Sequence, residues 1–510
     1  MIGLSAAVKK HKGFCRLIIT LPVFCFLLGY EPLGLSVLSR LLADQSPADQ
    51  NATDQNTTDQ FAGKRGDVGL IAVVQSPHDE KTTAPGSVGF DLADSESAAP
   101  GKRYIPKSIT VYRSENFILH TDLDEQEALR RLDRLERILK GIANYFGDPL
   151  RHKVHCYLVA DLRNFSPEKF PDASAYMYIK SIGGATTNEK LKSKPNKQRY
   201  KAVIYALTTP GVLEHEMVHA YCIEMFGNKG PDWYKEGMAE LGNFWCDDGH
   251  LECPAEVLTS LRLNPPGTMN DIISQGEHTD NLFSRIDRYQ SNLNAGKVAT
   301  WTAEDKQTVH AARAKIHRYW ALCHFMSHHP RYARRFRALG IGLLSGQQVT
   351  FKRAFASLDD QLKFEFQMFL DQMENGYRVE CCNWQWDSHP KILRVGESST
   401  RNVHANFGYQ ATGCRLQEGK TYKILAAGTW QTIAGGEELH ASGNAEGWGR
   451  LVAVVMHDYK LSEPFDLDDQ GIFVAPTGGQ LYLRCYDRWN ALDDNRGRIK
   501  VTISLDHQSK

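Results

Sequence analysis

The pentad His215-Glu216-Met217-Val218-His219 lies in a stretch whose apolar residues Leu213, Met217, Val218, Ala220, Tyr221 and Ile223 give it a helical face. Side chains four apart on a helix share one face, so both imidazoles can reach a single metal ion, and Glu216 is placed beside them as a base. Beyond His219, the segment Trp233-Tyr234-Lys235-Glu236-Gly237-Met238-Ala239-Glu240 reads as a second helix and offers Glu236, with sixteen residues between it and His219, as a third ligand. Two imidazoles and one carboxylate, with a fourth position left to water, make the donor set of an open zinc site rather than a structural one. Few features constrain a fold more, because two helices must lie side by side with their ligand faces converging. Val203-Ile204-Tyr205-Ala206-Leu207 reads as a buried strand, and Thr208-Thr209-Pro210-Gly211 as the loop that leads into the first helix. The other reading is a core helix whose histidines and glutamate form a hydrogen-bonded polar cluster.

Length and composition bound the rest. A chain of 510 residues is long enough for two or three domains, and its 60 basic and 60 acidic residues cancel. That balance, without a basic patch interleaved with aromatics, gives no support to a nucleic-acid partner. Lys9, Lys10, Lys12 and Arg16 precede the apolar run Leu17 to Leu28, which reads as an export signal, or as an uncleaved membrane anchor if the run continues through Leu33 to Leu38. Cys25 follows the bulky Phe24, which argues against a lipoprotein site. Of 11 cysteines, Cys15 and Cys25 fall in this segment, and an exported compartment lets the others pair. Cys246 with Cys253 and Cys414 with Cys485 are candidate pairs, with connectivity open.

Asp-Gln recurs every five residues from Asp44 to Asp59 in a Thr, Asn and Ala background, and low-complexity sequence runs on to Arg103, broken by the apolar run Val68 to Val74. Such sequence buries too little apolar surface to order itself, so 44–103 is expected to be a flexible tether. The sequons at Asn51 and Asn56 read as by-products of the repeat. From Tyr104 the pattern is that of a folded region: a hairpin from Ile109–Tyr112 and Phe117–His120, an amphipathic helix over Asp124–Phe146, and a strand at Val154–Val159. Lys190 to Lys201 reads as a basic solvated loop. After Glu240 the chain reads as mostly helical to Tyr377.

The sequence His215-Glu216-x-x-His219, then Pro231-x-Trp233-x-x-Glu236-Gly237-x-Ala239-Glu240, resembles the gluzincin metallopeptidases, in particular the bacterial peptidase-MA-like group. The resemblance runs from about Tyr104 to Tyr377. It implies that His215, His219 and Glu236 bind zinc, that Glu216 is the general base, and that a peptide or protein is the substrate. Enzymes of this kind use a Tyr or His from a later helix to stabilise the oxyanion. Tyr319, in Ile316-His317-Arg318-Tyr319-Trp320, is the candidate, with His317 as the alternative and an ordinary core tyrosine as the other reading. Glu240, one turn after Glu236, is either an outer partner of a zinc-bound histidine or a solvated carboxylate. The resemblance also implies that peptides lie along an edge strand, for which Gly183-Gly184-Ala185-Thr186 is the candidate.

Beyond Cys381 the apolar period changes from 3.6 to 2 in Tyr422–Trp430, Leu451–Val455, Gln480–Arg484 and Arg498–Ile503, which predicts an all-β sandwich. Ala411–Cys414 through Ala427–Trp430, with Gly479–Asp487 and Asp494–Gly497, resemble the PA-IL-type galactose-binding lectins. By that resemblance Asp487, the Ala491 carbonyl, Asp494 and Asn495 hold calcium, with the Thr432 carbonyl as a further donor, and carbohydrate is the implied partner. Asp494, Arg488 and Trp489 depart from the family's pattern, and an acidic turn is the other reading of the loop. The chain is thus expected to be multidomain: an export signal or anchor at 1–43, a tether at 44–103, an α+β zincin-like metallopeptidase domain at 104–380, and a β-sandwich at 381–510. The competing expectation is a surface carbohydrate-binding protein whose peptidase-like domain is an inert scaffold.

Overall fold

The computed structural model describes residues 106–191, 199–227, 230–263, 267–274, 303–386 and 389–506. All of them belong to the unit Pro85–Lys510. The expected export segment, the tether and its sequons lie outside the described residues. Among the described residues no helix is long and apolar enough to cross a membrane.

An α/β region comes first. In order it contains β1 (Thr110–Arg113), β2 (Phe117–Thr121), α1 (Glu125–Phe146), β3 (Val154–Val159), α2 (Ala175–Ile182), β4 (Gly184–Leu191), β5 (Arg199–Leu207), α3 (Val212–Phe226) and α4 (Asp232–Asn243). Helix α1 starts where the Asp124 side chain accepts from the Glu127 amide and stops at Gly147, whose φ of 101° suits glycine alone. Its stripe of Leu132, Leu135, Ile138, Leu139 and Ile142 is buried against the sheet. Strand order is β1-β2-β3-β5-β4. The central pairs β2/β3 and β3/β5 are parallel. Such strands are covered on both faces, which is why Val154–Val159 is almost continuously apolar: Cys156 and Leu158 face the main core, Tyr157 and Val159 a second one.

The hairpin expected at residues 109–120 forms as β1 and β2. Gly184, Ala185 and Thr186 open β4, which is the edge strand of the sheet and runs antiparallel to β5. The loop expected at Lys190–Lys201 is corrected in part, because the ladder continues to Lys190↔Tyr200 and Leu191↔Arg199. Lysine is common on edge strands, where it discourages pairing with another chain, and that use of charge resembles a loop when read from sequence.

A helical layer follows: α5 (Ala255–Leu263), α6 (Met269–Ser274), α7 (Ala303–His328), α8 (Ala333–Leu344), α9 (Phe351–Phe355), α10 (Asp359–Gln372) and α11 (Val379–Cys382). It shares one core with the sheet, running from Phe117 to Cys382.

C-terminal β-sheets complete the described chain, with β6 (Ser398–His404), β7 (Gln410–Leu416), β8 (Thr421–Gln431), β9 (Leu451–His457), β10 (Lys460–Leu461), β11 (Phe465–Leu467), β12 (Gln470–Val474), β13 (Gly479–Cys485) and β14 (Arg496–Leu505). One sheet is ordered β10-β9-β13-β7, with β11 also on β9, and the other β12-β8-β14-β6. Tyr422, Ile424 and Ala426 of β8 meet Ala453, Val455, Leu481 and Leu483 in the shared core. Strand β9 departs from alternation and is buried from Leu451 to Met456. Its outer residues Val454 and Met456 are covered by Trp384, packed with Phe364 of α10. Trp384 stacks on Tyr409 at 4.7 Å, and the buried Glu365 carboxylate accepts from its amide, from His329 Nε2 and from Tyr332 Oη. A buried carboxylate persists only when donors surround it, so this network locks α10, the α7–α8 junction and the β-sheets together.

Neither candidate disulfide forms. Cys246, Cys253, Cys414 and Cys485 are all free. For Cys414 and Cys485 the strand register is the reason: Gln480 pairs with Arg415 and Leu483 with Gln410, so Cys485 lies several residues along the ladder from Cys414. At about 3.3 Å per residue this exceeds the reach of a disulfide.

Candidate metal centre

Helix α3 is buried on nearly every face, from Leu213 to Glu224, so its polar side chains must find partners inside the protein. Arg134 Nε reaches the Glu214 carboxylate at 2.8 Å, and Glu224 accepts from the Ala202 amide at 2.7 Å, which fixes the helix to α1 and β5. Helix α4 is held by two glycines. A Cβ at Gly242 would lie 2.7 Å from the Glu214 carbonyl oxygen and from Val218 Cγ2, and one at Gly237 would lie 2.6 Å from Cys323 Sγ and the Tyr319 carbonyl oxygen. Only glycine lets α4 pack this closely on α3 on one side and α7 on the other. Glu236 is thereby carried up to the two histidines.

His215, His219 and Glu236 converge so that one ligand atom from each lies within 4.8 Å of the others. His215 Nε2 and His219 Nε2 are each 3.4 Å from Glu236 Oε2. Donors bound at about 2.0–2.2 Å to one tetrahedral ion lie roughly 3.3–3.6 Å apart, so the spacing matches a shared zinc ion. The rings of the two histidines are 4.8 Å apart and nearly perpendicular.

Outer partners orient these ligands. Glu240 Oε1 stands 3.6 Å from His215 Nδ1, and its Oε2 accepts from Asn243 Nδ2 at 2.5 Å. The Asn243 side chain in turn fills the space where Gly211, at φ 82°, has no Cβ. Lys235 Nζ lies 3.4 Å from Glu236 Oε1 and 2.6 Å from Asp232, while Oε2 faces the two histidines. Burial opposes charge on His215, but Glu236 and Glu240 outweigh it and raise its pKa well above the usual range. Burial likewise opposes charge on Glu236, and the two histidines reverse this, holding its carboxyl well below the ordinary value. A cation bound among these residues would compete with that proton.

Glu216 is buried, and its Oε2 accepts from Thr186 Oγ1 at 2.7 Å. Tyr319 on α7 is completely enclosed, and its hydroxyl has no hydrogen-bond partner. Burial, then the fields of Asp232 and Glu236, push its pKa up. His317 lies on the Glu240 side of α7 with Nδ1 also unpartnered, and burial lowers its pKa despite that carboxylate. The contact of Thr186 with Glu216, and the parts played by Lys235 and Asn243, escaped sequence reasoning. Asn243 and Lys235 carry a helical-spacing signal relative to Glu240 and Asp232, whereas Thr186 comes from a strand thirty residues away.

In the C-terminal loop, Asp487 Oδ2, Asp494 Oδ1 and Asn495 Oδ1 are buried without hydrogen-bond partners among the described residues. Burial, and then the neighbouring Asp494 after two opposing hydrogen bonds, raises the Asp487 pKa. Ala491 lies in the 3-10 turn Trp489–Asp494 between these residues. The same turn is tied to the α/β region by Cys382 Sγ to the Trp489 carbonyl at 3.1 Å and by Asn490 Nδ2 to the Asn375 carbonyl at 2.9 Å.

No protein-family profile and no curated protein matches this chain. Among solved structures it is similar to the EclA N-terminal domain, a PllA-like lectin, at 19% identity over 21% of this chain and 96% of that one, with a TM-score of 0.19. It is also similar to a functionally unknown conserved protein from Bacillus anthracis, at 13% identity over 22% of each chain, with a TM-score of 0.14. The IMPa metallopeptidase from Pseudomonas aeruginosa is 14% identical over 52% of this chain and 28% of its own length, with a TM-score of 0.15. Scores this low leave function to be argued from the site itself.

Proposed function

We propose that this chain is an exported zinc metallopeptidase of the zincin-like type, with a lectin-like C-terminal module. The observation that carries the reading is the equal 3.4 Å approach of two imidazole nitrogens to one oxygen of Glu236. His215, His219 and Glu236 would hold zinc, whose Lewis acidity lowers the pKa of water and polarises a carbonyl. Glu216 takes a proton from the attacking water and returns it to the leaving amine, its Oε2 accepting from Thr186. Tyr319, enclosed here with its hydroxyl unpartnered among the described residues, would reach the developing oxyanion only after a shift of α7. Glu240 keeps the His215 ring in place. The open edge of β4 receives an extended peptide by strand addition.

The three unpartnered oxygens of Asp487, Asp494 and Asn495 favour a hard cation in the C-terminal loop, with the Ala491 carbonyl as a further donor, and through it binding of carbohydrate hydroxyls. Export rests on the basic and apolar N-terminal sequence. The decisive experiment is digestion of a peptide library by the full chain and by Glu216→Gln. Cleavage lost by about a hundredfold or more in the variant supports the reading. Equal cleavage by both, or calcium-dependent glycan binding with no cleavage by either, would assign the chain to the carbohydrate-binding alternative with an inert scaffold.

A further inference from the structure

Strand β12 ends the second C-terminal sheet, and among the described residues no strand pairs with its outer side. The Ala426 amide donates to the Asp469 carbonyl at 2.7 Å and the Ala475 amide to the Lys420 carbonyl at 2.9 Å, so Asp469 and Ala475 turn their backbone groups toward β8. Between them the register runs without a shift from Gln470↔Leu425 to Val474↔Thr421. In an antiparallel ladder the direction alternates from residue to residue, which turns the N–H and C=O of Gln470, Ile472 and Val474 to the open side. The strand lacks the usual protection of an edge, since Gln-Gly-Ile-Phe-Val holds no charge, no proline and no bulge. Phe473 packs inward on Tyr422 and Phe465, whereas Ile472 is 65% and Val474 60% exposed, with Leu425 of β8 beside them at 47%. The edge of β7 in the other sheet is, by contrast, closed by bridges from Gln385 and Lys391.

We propose that β12 pairs with β12 of a second copy of this chain, antiparallel about a two-fold axis at Ile472, so that two C-terminal sheets join into one. In this register the strand is its own complement: Ile472 meets Ile472, Gln470 meets Val474, and each such pair exchanges two backbone hydrogen bonds. Ile472, Val474 and Leu425 of both copies then cover one another. Charge fits the same register. Lys423, opposite Ile472 on β8, stays about 14 Å from its symmetry mate, three strand spacings away and beyond the screening length of roughly 10 Å. Past the ladder, Asp468 faces Pro476 of the second copy, whose missing N–H ends the pairing. There Asp468 comes toward Lys420, which is tied to the strand through Ala475, with Glu418 farther out in the turn. A five-residue ladder with three apolar side chains per copy is small beside the roughly 800 Å² per partner of a standard interface, so the dimer is reversible. Pairing makes the chain bivalent, and two weak contacts with one surface then act together.

Sedimentation velocity of the full-length protein from about 1 to 100 μM tests the proposal. The wild type is expected to pass from monomer to dimer over this range. Ile472→Lys and Ile472→Glu each set like charges opposite one another across the axis and are expected to weaken association by about tenfold or more, whereas an equimolar mixture of the two recovers the dimer. Circular dichroism checks that both variants keep the fold, and if they do not, Val474→Lys carries the same expectation of weakened association. A wild type that stays monomeric throughout, leaving the edge to a different partner, overturns the proposal. So does a dimer that the single variants retain, or a mixture that recovers nothing.

Discussion

The His–Glu cluster on α3 and α4 and the acidic loop after β13 each gather candidate cation donors, but they differ in how the chain supports them. At the cluster each ligand stands on a helix, and each helix is clamped by packing, with Gly237 against α7 and Gly242 against α3. Behind the ligands, Asn243, Glu240 and Lys235 set the ring of His215 and the free oxygen of Glu236. At the loop, the oxygens of Asp487, Asp494 and Asn495 hang on one turn, and Arg484 shares the space, donating to the Asp487 carbonyl and lying 3.9 Å over the Trp489 ring. The turn is fixed instead by its contacts with Asn375 and Cys382 across the join between the regions. Sites on rigid elements keep their geometry without the ion, whereas a loop site gains its order partly from the ion.

The largest effect that separates the two regions should come from the outer partners of the cluster. Glu240→Ala removes the group opposite His215 Nδ1 and is expected to weaken zinc binding by about 10- to 100-fold, measured by competition with a chelating dye. An unchanged affinity would mean that packing alone orients His215.

At the loop, calcium at about 100 times its Kd is expected to stabilise the protein by about 2.7 kcal/mol, seen as a rise in Tm that Asp494→Ala abolishes. No shift on adding calcium to chelator-treated protein would leave the loop an acidic turn.

The smallest effect concerns pH and a histidine away from both sites. Burial, then His328 and His250, hold the pKa of the enclosed His324 well below the ordinary value. Burial with His155 and Arg113 takes His120 down to about 4. For a group whose folded pKa is lowered, the unfolded chain binds the proton first as pH falls, so stability is intact above about pH 6.5 and lost progressively below it. Buried Glu224, whose pKa is raised by burial, acts in the opposite direction. The urea midpoint of the wild type should therefore fall more steeply between pH 7.5 and 5 than that of His324→Phe. Parallel profiles would remove His324 from the account.

The same contrast explains what was legible in the sequence. His215, Glu216 and His219 are local, three residues within five on one helix, and Glu236 lies one short connection away, so spacing alone nominates them. The strands at Val154–Val159 and Thr421–Gln431 were legible through their apolar runs and alternation. The hydrogen bond from Thr186 to Glu216 was not, because it depends on β4 lying outside β5 and on a register that no local pattern specifies. The Cys414–Cys485 pairing failed for the same reason. The continuous burial of Leu451–Met456 reflects Trp384 and Phe364 arriving from another part of the chain.

The central claim is that His215, His219 and Glu236 hold one zinc ion, and metal analysis of the full-length protein tests it most directly. After dialysis with micromolar zinc and removal of the excess, the account expects one zinc per chain in the wild type and well below half that in His219→Ala. A wild type that retains no zinc, or a His219→Ala protein that retains as much, would contradict it.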